Sequence, residues 1–296
     1  MNRHAEVISE PGIYRTVANY IDVLKPRETI LLTFIGLCAA IIATAGHPPA
    51  GELVVALVAI LLGSGGVNGL TNYLDRHVDA KMQRTCQRSL PALRVNPPEM
   101  ILPVAGGLVL IGLVLAWLLH PACFLVGLIG TVTAVTYRKR MSCAFPQGTV
   151  AGCSPVLIGW LAFDLTFSLD IVFLCVLIGV WIPLHVWSVM VARREEYLTA
   201  GIGYFPINWQ AKDAVKVLLG LSFVLYAASL ALYFVVDLGL LFLIAANILG
   251  IIMCFGAARL VLSKALDDAW KLYKLSSFPY LGLIFLAMCL DLWILG

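Results

Sequence analysis

Nine stretches of this chain are predominantly apolar over at least 17 residues: 29–45, 53–74, 100–119, 121–137, 148–165, 171–192, 215–236, 238–258 and 277–295. About 20 such residues, within a range of roughly 17 to 25, carry a helix across the hydrocarbon core of a bilayer. In lipid the backbone N–H and C=O groups find no water, so each span must satisfy them internally, as a helix does. The runs are continuous and not alternating, which rules out a membrane β-barrel. The expected fold class is therefore all-α, a polytopic membrane protein with nine transmembrane helices. Composition agrees, since 61% of the 296 residues are apolar and 12% charged, against about half and a quarter in soluble domains.

The cations give the topology. All 20 Lys and Arg residues fall in five places: residues 3–27, 76–94, 138–140, 193–216 and 259–274. The intervening connections, near His47, His120, Asp164–Asp170 and Asp237, carry none. By the positive-inside rule this alternation puts the N-terminus in the cytoplasm and the C-terminus outside. An odd number of spans follows. Residues 1–27 have neither the apolar core of a secretory signal nor the acid-poor composition of a mitochondrial presequence. They read as a cytoplasmic or interfacial segment, and a prokaryotic inner membrane is the expected location. The chain reads as one membrane-embedded domain over 1–296. Its long cytoplasmic connections, 76–98 and 193–214, are placed to cap it, and long connections in compact proteins usually carry function.

Two function classes drop out early. A formal net charge of +3 gives no reason to expect a nucleic-acid partner. The eight cysteines contain no CxxC pair, so neither a zinc site nor a disulfide framework is indicated.

Chemistry gathers at two helix ends. The second span closes on Asn72-Tyr-Leu-Asp75-Arg-His-Val-Asp79. Offsets of three and seven put Asn72, Asp75 and Asp79 on one helix face. Two carboxylates and an amide oxygen suit Mg²⁺, which prefers oxygen ligands and is commonly shared with substrate phosphates. Lys81, Arg84 and Arg88 follow at once and could hold the anionic end of a diphosphate. Taken singly, each is the kind of charged residue that solvates a helix end. As an ordered set they are costly beside a membrane unless paired or functional. The sixth span ends in Arg193-Arg194-Glu195-Glu196-Tyr197, which reads either as a surface ion-pair network or as a second Mg²⁺ site. Arg138-Lys139-Arg140 could hold diphosphate or simply mark the cytoplasmic side. His185, inside the sixth span, reads first as a structural hydrogen-bonding residue. Trp160, Trp181 and Trp187 are core or interfacial aromatics that could also line a groove for an isoprenoid chain.

The segment NYLDRHVDAKMQRTCQR resembles the first aspartate-rich motif of the UbiA superfamily of intramembrane prenyltransferases, and within it the heme-farnesylating branch. Further features resemble that branch in the same order. They are Lys25-Pro26-Arg27, Gly148 to Trp160, His185-Val-Trp187, Glu196 to Pro206, and Ser276 to Asp291. The resemblance implies nine helices around a central cavity capped by two cytoplasmic loops. It implies Mg²⁺ as cofactor, farnesyl diphosphate or another prenyl diphosphate as donor, and heme B as hydrophobic acceptor, inside the lipid bilayer. Carried over residue by residue, Asn72, Asp75, Asp79 and Glu196 hold metal and take part in catalysis. Lys81, Arg84, Arg88, Arg138, Lys139 and Arg194 bind diphosphate, and His185 lies by the acceptor. The chain departs from the branch where Glu196 replaces an aspartate and where Met141 and Ala144 replace polar residues. A quinone precursor, a chlorophyll-type ring or a lipid alcohol therefore stays open as acceptor. A secondary transporter, with intramembrane acids binding cations or protons, is the alternative of another class.

Overall fold

The computed structural model describes residues 12–136 and 146–295, so Arg138, Lys139, Arg140, Met141 and Ala144 lie outside the described residues. Within them every regular element is helical: α1 Ile13–Val23, α2 Pro26–Ala43, α3 Ala50–Asp79, α4 Ile101–Leu119, α5 Pro121–Thr136, α6 Pro146–Leu161, α7 Leu169–Ala192, α8 Arg194–Thr199, α9 Ala211–Val235, α10 Leu240–Ser263, α11 Leu266–Leu275 and α12 Leu281–Leu295. Each of the nine expected stretches overlaps a helix, with bounds shifted by up to about five residues. Among the described residues seven helical segments are long and apolar enough to cross a bilayer, while Pro121–Thr136 and Gly148–Leu161 are shorter. The last crossing segment, Leu266–Trp293, is compound. The amphipathic α11 leads through a π-helical turn at Ser276–Tyr280 into α12.

Prolines set several boundaries. Pro26 and Pro121 stand at or next to the first turns of α2 and α5, where a missing N–H costs nothing. Close helix contact depends on small residues, as it does where lipid supplies no hydrophobic drive between helices. A Cβ on Gly66 of α3 would stand 2.6 Å from the Ala105 carbonyl of α4, and one on Gly112 of α4 would stand 2.7 Å from the Gly63 nitrogen. Gly159 of α6 likewise packs directly on the Gly36 carbonyl of α2. The main core runs through α2, α6, α7, α9, α10, α11 and α12, with Trp160, Phe242, Tyr280 and Phe285 among its fully buried side chains. Leu110, Leu118, Ile248 and Phe255 point outward and exposed, as a lipid-facing surface requires.

The two ends of the bundle are built differently. At one, the buried Asp291 of α12 accepts hydrogen bonds from the Gly239 and Phe242 amides, capping α10 with a carboxylate from a distant helix. At the other, the chain after α3 and the segment around α8 pack together through Met82, Tyr197, Ile202 and Ile207, over Val78 and Met190. The two long connections thus pack against each other as a cap at this end of the bundle.

Candidate active site

α3 has 30 residues, about 45 Å at 1.5 Å per residue, longer than the roughly 30 Å hydrocarbon core of a bilayer, and its last turns carry the polar face. Those turns are nevertheless buried. Asn72, Asp75 and Asp79 are 8%, 7% and 1% exposed, on the shared face that their spacing predicts. Asn72 and Asp79 open onto a cavity of about 320 Å³ at this end of the bundle. The rest of its wall comes from the α1–α2 junction (Asp22 to Glu28) and from the chain at Arg88 to Pro91.

Each polar wall residue is held in place. Arg88 lies with Nη1 3.3 Å from Asp79 Oδ2. Thr85 donates to the Asp79 main-chain oxygen at 2.9 Å, closing the end of α3. The Asn72 side-chain nitrogen donates to the Val23 carbonyl at 2.6 Å, which leaves its oxygen as the atom to meet a cation. Asp22 accepts from the Ser89 amide at 3.2 Å and from the Ser89 hydroxyl at 2.6 Å, tying α1 to the residue after Arg88. Lys25, 3.5 Å from Glu28, stands at the break between α1 and α2 in left-handed backbone geometry, φ 50° and ψ 66°. Non-glycine residues pay for that geometry and keep it where the surroundings dictate it. Here it turns the chain so that Asp22, Val23, Lys25 and Glu28 all reach one cavity.

The other expected site residues are distributed less simply. Asp75 is buried but not in the cavity wall. Lys81 is exposed and does not line the cavity. Glu196 accepts from the Arg84 backbone amide at 3.0 Å and stands 3.8 Å from the Arg193 guanidinium. It thus joins the two halves of the cap and is not part of the cavity wall. Arg194 donates twice to the Ile207 carbonyl, at 2.9 and 3.2 Å, and so braces the chain leaving α8. His185 stacks with Trp181 and with Tyr273, and its Nδ1 lies 2.9 Å from the Ser276 hydroxyl. Arg138 and Lys139 are outside the described residues. Sequence reasoning missed Asp22, Glu28 and Ser89. One signal was available: a helix usually stops before proline, so Lys25-Pro26 marks a break whose flanking residues must face something.

Among the described residues no three His, Cys, Asp or Glu side chains gather as a closed metal cage. The oxygen-bearing side chains that share the cavity wall include Asp79, Asn72 and Glu28. An open set of oxygen donors fits Mg²⁺, which takes one or two carboxylates and fills its remaining positions with water and phosphate.

The profile of the UbiA prenyltransferase family matches residues 30–278. The chain belongs to that family. It is a prenyltransferase, which removes the transporter alternative. It is 34% identical over 297 aligned residues to the protoheme IX farnesyltransferase of Desulforudis audaxviator, covering 98% of this chain and 93% of that one. It is 31% identical to the protein of the same name from Symbiobacterium thermophilum, covering 94% and 95%. Among solved structures it is similar in fold to a digeranylgeranylglyceryl phosphate synthase, with TM-score 0.75, 16% identity and coverage of 94% and 98%. A UbiA homolog from Archaeoglobus fulgidus bound to GPP and Mg²⁺ is similar too, with TM-score 0.62, 13% identity and coverage of 91% and 99%.

Proposed function

We propose that this chain transfers a farnesyl group from farnesyl diphosphate to a vinyl carbon of heme B, giving heme O. The observation that carries the chemistry is one cavity at the end of an apolar bundle where Asp79 and Asn72 meet Lys25, Arg27 and Arg88. The acceptor and chain length rest on relatives named protoheme IX farnesyltransferase along almost the whole length of the chain. The protein acts as one unit in the prokaryotic inner membrane. It has nine spans, a cytoplasmic N-terminus and an outer C-terminus, and its cavity opens to the cytoplasmic side.

Arg88, Lys25 and Arg27 bind the diphosphate, Arg88 with the planar fork that suits paired phosphate oxygens. Lys81, Arg84, Arg138, Lys139 and Arg194 add positive charge on the same side. Asn72 and Asp79 would hold Mg²⁺, with Asp75 supporting their helix end and Glu196 closing the cap above. The metal supplies charge neutralisation on the diphosphate oxygens. As the bond from allylic carbon to oxygen breaks, its electron pair leaves with diphosphate, and the fixed cations stabilise that charge. A new carbon–carbon bond then forms at the vinyl group. Water adds to the carbon beside the ring, and its proton is lost, leaving a hydroxyethylfarnesyl substituent. Met82, Tyr197 and Ile202, packed in the cap, keep bulk water from the cation until that bond has formed.

The test uses membranes containing the full chain, supplied with heme B, farnesyl diphosphate and Mg²⁺, with extracted hemes resolved by chromatography and mass spectrometry. A hydroxyethylfarnesyl heme that disappears with EDTA is expected. Unchanged heme B beside a working positive control would move the activity to another acceptor.

A further inference from the structure

The short helix α1 has three faces. At 3.6 residues per turn, Ile13, Tyr14, Val17 and Ile21 share an arc of about 100°, and they are 85%, 86%, 51% and 49% exposed. Beside that arc, Tyr20 and Val23 turn inward and pack with Leu90, Val95 and Ile101. Away from it lie Arg15, Asn19 and Asp22. Asn19 Nδ2 donates to the Arg94 carbonyl at 3.4 Å, and Asp22 accepts from the Ser89 hydroxyl at 2.6 Å. The helix thus buries one face, gives polar groups to the chain after α3, and leaves an apolar face bare.

The position of α1 in the chain says what covers that face. α1 ends at Val23, and α2, long and apolar enough to cross a bilayer, begins at Pro26. Ile30, one turn into α2, is itself 62% exposed, so apolar exposure runs on from α1 into the span. Eleven residues are too few to hold a helix in water without packing. An amphipathic helix at the mouth of a span gains that packing by laying its apolar face into the boundary between headgroups and acyl chains, where a tyrosine such as Tyr14 is also favoured.

The same helix carries part of the cavity. Its Val23 carbonyl accepts from the Asn72 side chain at 2.6 Å. Asp22 holds Ser89, the residue after the Arg88 that pairs with Asp79. A helix that leaves its seat takes both contacts with it.

We propose that α1 docks on the bilayer surface through Ile13, Tyr14, Val17 and Ile21, and that this seating holds in place the wall of the cavity that receives the prenyl diphosphate. The second half rests on the reading of that cavity as the donor site; the first does not.

The test uses the full-length protein in phosphatidylcholine nanodiscs. A keto amino acid replaces Ile13, Val17, Ile21 or Arg15, one per variant, and is coupled to a hydroxylamine nitroxide, which leaves the native cysteines untouched. Oxygen should relax the labels at 13, 17 and 21 more than a water-soluble nickel chelate does, and the label at 15 should show the reverse. Nickel dominating at all four positions overturns the docking. So do spin–spin broadening, which indicates a second copy of the chain, and shielding from both reagents, which indicates another protein. Val17→Glu combined with Ile21→Glu should raise the KM for the prenyl diphosphate several-fold with kcat and melting temperature unchanged, while Val17→Leu with Ile21→Leu behaves as wild type. An unchanged KM in the glutamate variant, beside lipid-facing labels, overturns the hold on the cavity. A wild type that turns over no prenyl diphosphate removes the donor reading, and the labels still decide the docking.

Discussion

The pairing of Asp79 with Arg88 allows its structural and chemical roles to be separated. At 3.3 Å and an effective dielectric of about 20, the attraction is on the order of 5 kcal/mol before desolvation. Asp79 is 1% exposed but the Arg88 side chain is 29% exposed, so water screens one partner and the net contribution is about 1–2 kcal/mol. Asp79→Asn keeps size and one acceptor oxygen and removes the charge. It should lower the melting temperature in detergent by a few degrees. Turnover should fall at least about 100-fold, a transition-state loss of roughly 2.7 kcal/mol or more. Asp79→Asn combined with Arg88→Gln removes both charges and should recover most of the stability but none of the activity. Product per folded molecule is measured in parallel with thermal unfolding. If activity returns in the double variant along with stability, Asp79 serves only as the counter-ion of Arg88, and the assignment of the cavity to Mg²⁺ and diphosphate is wrong.

Other residues make further claims. Asp22→Ala leaves the Ser89 amide and hydroxyl without their acceptor, at a cost of about 1–3 kcal/mol. It should raise the KM for the prenyl diphosphate several-fold with little change in kcat, and a fall in kcat alone would count against a role in shaping the cavity. Gly159→Ala drives a methyl group into the Gly36 carbonyl and should destabilise the bundle by about 1–3 kcal/mol. Gly203→Ala, with open space around it, should leave the melting temperature unchanged. Glu196→Asp shortens the side chain by about 1.5 Å and draws the carboxylate off the Arg84 amide, while Glu196→Gln still reaches it. Proteolysis of the cap should therefore be faster in the aspartate variant than in the glutamine one, and the reverse order would show that charge holds the cap.

The spans were legible because a bilayer demands long apolar segments whatever their neighbours, and so was the 72, 75, 79 face, which depends only on helical periodicity. The site beyond α3 was not. The pairing of Asp22 with Ser89 joins residues 67 apart in sequence, and that of Glu196 with Arg84 joins residues 112 apart. Nothing in local propensity encodes such contacts. Arg194 looked like a free cation because a sequence shows charge but not the carbonyl at Ile207 that captures it. The described cysteines are free, and Cys38, Cys123, Cys153 and Cys289 are buried.

The cap and the cavity share a short piece of chain. Arg84, whose amide is held by Glu196, lies four residues before Arg88, which pairs with Asp79. Thr85, between them, closes the end of α3 through the Asp79 carbonyl. A displacement of the Glu196 carboxylate therefore reaches Arg88 through one turn of chain whose two ends are both pinned. Packed segments of this kind shift between discrete arrangements more readily than they stretch. Binding an anion at Arg88 and closing the cap at Glu196 should thus stabilise each other. The glutamate that stands where the branch usually has aspartate suits that link, since its extra methylene spans the gap to the Arg84 amide.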